Sequence, residues 1–138
     1  MPPKWSLDRI LEWPTVIDTI RISQQGKDQL SRLKRKTGIQ NWNVLCRWGL
    51  VASLKEVDPP TQVVLGSESN VEMSWRTFAG DTGYLYYDLV RLYCELHSLP
   101  TDEVSVDSQF RLHLHRGISY LAALPLTNVA DLLSFANT

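Results

Sequence analysis

Cysteine is scarce in this chain. Cys46 and Cys94 are the only two in 138 residues, and they stand 48 positions apart with no CxxC spacing. A zinc finger or an iron–sulfur site needs more thiolates, or histidines at ligand spacing, so the pair reads as two buried thiols in a reducing compartment, without metal or cofactor. No apolar run approaches the roughly 20 residues that a membrane span requires. Met1 to Glu12 lacks the long apolar core of a signal peptide, so a cytoplasmic location is expected. P-loop, GxGxxG, GxSxG and HExxH patterns are all missing, and the carboxylates Glu56, Asp58, Glu68 and Glu72 form no recognisable catalytic set. The sequence therefore points away from an enzyme.

A further shortage is local. From Arg21 to Lys55 the only acid is Asp28, against eight basic residues, a net +7; the remainder carries six basic and fourteen acidic residues, a net −8. The near-neutral total of −1 thus hides a basic third and an acidic rest. Such asymmetry suggests a polyanion partner for one part of the molecule.

What is present reads as one mainly α domain of four to five helices with a minor β element. Residues 1–18, with Pro2, Pro3 and Pro14 around an amphipathic Trp5–Trp13 stretch, form an N-terminal arm to a domain at 19–138. Alternation of Ile20 and Ile22 with Thr19, Arg21 and Ser23 predicts a short strand. Ser23 suits the cap of a first helix over 24–36, ended by Gly38. Asn41 suits the cap of a second over 42–55, apolar on several faces and therefore expected to be covered on more than one side, either by later helices of the same chain, the simpler arrangement, or in part by a second subunit. A hairpin or ordered loop is expected at 63–75. A third helix starts near Asp81 or Thr82, with Leu85, Leu89, Leu92 and Leu96 as its inner stripe; a fourth covers 106–124, and a short fifth 129–135.

Around the first helix, Lys27, Arg32, Lys34, Arg35 and Lys36 spread over most directions left free by Leu30 and Leu33. Cations that neutralise DNA phosphates release condensed counterions, which drives sequence-independent binding. The competing reading is a solvated charged face, which most charge runs are. With Arg21 and Arg47, these residues make the candidate DNA-binding set. Trp42 beside the basic helix could stack on a base, though packing is the commoner use of tryptophan. His113 and His115, two apart on a helix, point in opposed directions and cannot chelate one ion; hydrogen-bonded structural roles are expected, with Arg116 pairing an acid. Gly117 in mid-helix costs about 1 kcal/mol against alanine and suggests close helix packing.

Several segments together resemble a known family. Arg21-Ile-Ser23, Leu30-Ser-Arg-Leu-Lys-Arg-Lys-Thr-Gly38, Asn43-Val-Leu-Cys-Arg47, Trp75-Arg-Thr-Phe-Ala-Gly80 and Phe110-Arg-Leu-His-Leu-His-Arg-Gly-Ile-Ser-Tyr-Leu121 resemble, in order, the DndE proteins of bacterial DNA phosphorothioation, a DNA sulfur modification linked to restriction. The likeness covers roughly 19–122. It implies a small helical accessory subunit that binds duplex DNA, including nicked duplex, and works with other Dnd modification proteins, which carry the sulfur chemistry. It also allows a homo-oligomer.

Two other readings fit the residues. A strand followed by two helices is also the order of the ribbon–helix–helix transcription regulators, in which Thr19, Arg21 and Ser23 would face bases. Alternatively, the basic face docks on an acidic protein and the chain has no DNA binding of its own.

Overall fold

The alternation at Thr19–Ser23 forms strand β1, with Ile20 and Ile22 buried and Thr19 and Arg21 outward. The computed structural model describes residues 18–63 and 65–137; all of the N-terminal arm before Asp18, with its Trp5–Trp13 stretch, lies outside the described residues. Strand β2, Glu68–Ser74, runs antiparallel to β1, with Ile20 opposite Met73 and Arg21 opposite Glu72. The hairpin expected at 63–75 is therefore not formed. Residues 63 and 65–67 are not strand, and β2 returns instead to the first strand. Met73 supplies the buried side chain that faces Ile20, and the Ser69 hydroxyl donates to the Ile22 carbonyl at 2.8 Å.

Helix α1, Gln24–Thr37, begins where Ser23 Oγ accepts the Gly26 amide at 3.0 Å, and ends at Gly38, whose φ of 77° places it in the left-handed region. Helix α2 is Trp42–Leu54; Asn41 stands at its cap position but makes no side-chain capping bond. A short helix that the sequence pattern does not show, α3, Trp75–Ala79, follows β2 directly and is capped by Ser74. Asp81 and Thr82 fall in a 3-10 turn, so α4 starts later than expected and covers Leu85–Leu96. Helix α5 is Glu103–Ala123, opened early by Asp102, whose carboxylate accepts the Ser105 amide at 3.2 Å. Asn128 caps α6, Val129–Ala136. The described residues thus hold six α-helices and a two-stranded sheet, mainly α with a minor β element.

Two packing choices differ from the sequence pattern. On α4 the leucine stripe is not the inner face. Tyr87, Val90, Tyr93 and Cys94 are buried, while Leu89, Leu92 and Leu96 are 37, 48 and 72% exposed. The helix offers two apolar stripes, and the core took the aromatic one: Tyr87 meets Trp75 edge-on at 6.3 Å and Tyr93 meets His113 at 4.5 Å. Second, α2 is covered chiefly by α5. Leu45, Cys46, Leu50 and Ala52 are buried, whereas Val44 and Trp48 are half-buried and Val51 lies 41% exposed beside Tyr86 of α4.

The α2–α5 contact depends on two glycines. A Cβ on Gly117 would coincide with the carbonyl of Gly49, and a Cβ on Gly49 would press on the Ile118 backbone nitrogen at 3.0 Å. The close packing expected at Gly117 is thus observed, with Gly49 as its partner. Gly117→Ala is expected to destabilise the fold by about 3 kcal/mol, despite alanine's better helix propensity, because backbone rather than a flexible side chain must move. Urea denaturation measures this; an unchanged midpoint would contradict the packing account.

Candidate nucleic-acid interface

Helix α1 buries a narrow strip of Gly26, Gln29, Leu30, Leu33 and Thr37. The rest of its surface is left to charge. Arg32 and Arg35 are exposed and Lys36 is half-exposed; their spacing puts them on one side of the helix. Gln25, seven residues before Arg32, shares that side and is exposed; it carries no charge, so a search of the sequence for cations passes over it. Lys27 and Lys34 occupy the flank. Lys27 Nζ donates to Asn70 Oδ1 at 2.6 Å, and Lys34 Nζ sits 4.4 Å over the Trp42 ring. That lysine already covers one face of the indole, so a base stacking there would have to displace it. The single acid, Asp28, accepts from Gln24 at 3.1 Å. Among the described residues no ion pair engages Arg32, Arg35 or Lys36.

The other two candidate residues are engaged elsewhere. Arg21, on β1, approaches Glu68 at 3.3 Å and Glu72 at 3.8 Å. The same Glu68 reaches Arg111 at 3.8 Å, so this corner is charge-compensated. Arg47 is half-buried and its Nη1 donates to the Phe78 carbonyl at 3.0 Å. One turn earlier on α2, Asn43 Nδ2 donates to the Thr77 carbonyl at 3.2 Å. Together they satisfy open carbonyls at the end of α3, a five-residue helix that could not do so itself.

One buried histidine fixes the start of α1 and another faces α2. His115 Nδ1 lies 2.9 Å from the Arg111 carbonyl, so it carries the proton, and Nε2 accepts the Ser23 amide at 3.1 Å. His113 Nδ1 faces Ser53 Oγ at 2.8 Å. Among the described residues Arg116 pairs no acid. Its guanidinium donates to Ser53 Oγ at 2.8 Å and to the carbonyls of Ser53 and Asp58 at 2.9 and 2.7 Å. With Ser53 Oγ accepting from Arg116, its own proton goes to His113 Nδ1, which leaves the imidazole proton on Nε2. Burial pushes the Cys46 thiol up to about 12 and raises Cys94 as well, so both stay protonated and weakly nucleophilic. Among the described residues no group of three His, Cys, Asp or Glu is placed to hold a metal ion, and no helix is long and apolar enough to cross a membrane.

The family model for the DNA sulphur modification protein DndE matches residues 19–127. The chain belongs to the DndE family. Membership gives it a role in DNA phosphorothioation. The crystal structure of DndE from Escherichia coli B7A, involved in DNA phosphorothioation modification, superposes with a TM-score of 0.64 at 18% identity, over 78% of this chain and 99% of that one. At that identity the likeness shows a shared fold. No curated protein matches the sequence significantly. Within the DndE pattern, Thr37-Gly38 is the end of the basic helix: Thr37 Oγ1 donates to the Leu33 carbonyl at 2.7 Å and the Gly38 amide to the Lys34 carbonyl at 3.0 Å.

Burial lowers the affinity of both histidines for a proton. His113 falls from 6.5 to about 4, with the Arg116 charge as second cause, and His115 also falls. In the unfolded chain both titrate near the ordinary value of 6.5. Below it the unfolded state binds more protons, so stability is full above about 6.5 and is lost as pH falls toward about 4. Melting temperature against pH measures this; a flat profile between those values would show that the imidazoles are accessible.

Proposed function

We propose that this chain is a non-catalytic, cytoplasmic DNA-binding subunit of the phosphorothioation machinery. It holds duplex DNA, including nicked duplex, on the open side of α1 and acts beside the Dnd proteins that perform the sulfur chemistry. The observation that carries the reading is the face of Arg32, Arg35 and Lys36, which no acid among the described residues compensates, flanked by Lys27 and Lys34. Cations at a helix C-terminus also offset the helix dipole, which accounts for the presence of Lys34, Arg35 and Lys36 in the last turn. It does not account for Arg32 or Lys27, which stand further back. Arg21 and Arg47 serve the fold more than the ligand, given their acidic and carbonyl partners. The ribbon–helix–helix alternative fits poorly, because β1 already pairs with β2 of its own chain and Ser23 is spent on capping α1.

Replacing Arg32, Arg35 and Lys36 together with alanine is expected to weaken binding to random duplex. The slope of log affinity against log salt should fall by about 0.9 for each phosphate no longer neutralised. Arg21→Ala should leave that slope nearly unchanged. Titrations at several salt concentrations, on intact and nicked duplexes, measure both. An unaltered slope in the folded triple variant would move the interface elsewhere, and absence of any duplex binding by the wild-type chain would favour a purely protein-binding role.

A further inference from the structure

The outer face of α4 has an order that the fold does not use. Leu85, Leu89, Leu92 and Leu96 follow a 4-3-4 spacing, the seam pattern of helices that pack on other helices. Leu85 is half-buried, and exposure then rises along the stripe from 37% at Leu89 to 72% at Leu96. Val57, 79% exposed, extends the patch beyond the helix end, since its carbonyl is held by His97 Nε2 at 2.7 Å. An apolar ridge about 16 Å long on a single helix is more than scattered surface leucines amount to, and such ridges mark contact sites.

The charge around the ridge selects the partner. Of the acids between residues 81 and 103, Asp81, Glu95, Asp102 and Glu103 are exposed, and the one base in that stretch is Arg91. Arg91 does not offset the field outside, because it is largely buried, 3.6 Å from Asp88 and stacked near the Tyr87 ring. Glu95 is exposed beside the stripe, and at its end the exposed Glu56 and Asp58 bracket Val57, outweighing the exposed Lys55 that precedes them, while Arg116 is engaged with the Asp58 carbonyl. A second copy meeting this face about a twofold axis would set these carboxylates against their own images, at an electrostatic cost. A helix with leucine-like residues on one side and lysine or arginine on the other satisfies both the ridge and its rim.

We infer that the outer face of α4 docks a basic amphipathic helix belonging to another protein. This surface is separate from the basic face of α1, so one subunit engages DNA and protein at once.

The test uses the full chain and two labelled 18-residue helical peptides, one of leucine and lysine with leucine along one face, the other with glutamate in place of lysine. Fluorescence anisotropy should show binding of the lysine peptide, weakened by added salt, and little binding of the glutamate peptide. Leu89→Glu with Leu92→Glu should weaken the lysine peptide by about tenfold or more, and Glu95→Lys should weaken it without touching the ridge. Both changes are at exposed positions, and circular dichroism checks that the folds persist. Equal binding to wild type and leucine variant would reduce the effect to general charge attraction and overturn the assignment, as would no binding at all. A wild-type dimer in light scattering that becomes monomeric in the leucine variant would assign the ridge to a second copy instead.

Discussion

The fold rests on the backbone contact between α2 and α5 at Gly49 and Gly117. Most helix pairs are separated by their side chains, 8–10 Å from axis to axis. Here a Cβ on Gly117 would coincide with the Gly49 carbonyl, so the two helices meet main chain to main chain. That closeness lets side chains on either side of the crossing reach past the helices they belong to. Ser53, one turn after Gly49, touches both His113 and Arg116. Arg116, next to Gly117, reaches on to the Asp58 carbonyl and ties down the chain that leaves α2.

From that crossing, α5 acts as the fixed element on which the basic helix is mounted. His115 accepts the amide of Ser23, and Gln29 shares two hydrogen bonds with Ser119, at 3.1 and 3.3 Å. These bonds hold α1 from beneath, by polar groups as well as by Leu30 and Leu33. A buried polar bond of this kind contributes about 1 kcal/mol, but breaking one partner strands the other at a cost of about 1–3 kcal/mol. They therefore fix position more than they add stability. The polar residues of the DndE pattern thus fall into two groups. Ser23, Asn43, Arg47, His113, His115 and Arg116 hold elements together, while Arg32, Arg35 and Lys36 make no ion pair among the described residues.

How far this was legible in the sequence follows from which interactions are local. The Ser23 cap, the Gly38 stop and the narrow inner strip of α1 are decided within one or two turns, and they were readable. Gly117 could be read as a packing residue because a mid-helix glycine needs a reason, although nothing local names Gly49 as its partner. The partner of β1 could not be found, since Glu68–Ser74 lies some 47 residues away and a strand shows its period but not its neighbour. On α4 two stripes had equal claims. Leucine hydrophobicity favoured the wrong one, because the aromatic cluster of Trp75, Phe78, Tyr87 and Phe110 exists only once α3 is in place, and α3 was itself invisible as a five-residue helix. At the candidate site the charge run was plain from composition. Which cations are free was not, because Glu68, Glu72 and the Phe78 carbonyl reach Arg21 and Arg47 from distant segments.

The segregation of charge gives the proposed binding face a direction. With a total of −1, long-range attraction to a polyanion nearly cancels, and what remains is the difference between one side and the other. At physiological salt the field decays over about 8 Å, so a duplex lying on α1 feels Arg32, Arg35 and Lys36 strongly and the carboxylates of the α4 region weakly. Approached from the α4 side, the same duplex meets net repulsion. On the proposed function the acidic remainder would orient the encounter as well as keep the chain near neutral. The cations of α1 would likewise repel a basic helix that the leucine ridge of α4 would admit, so the two proposed surfaces would reject each other's ligands.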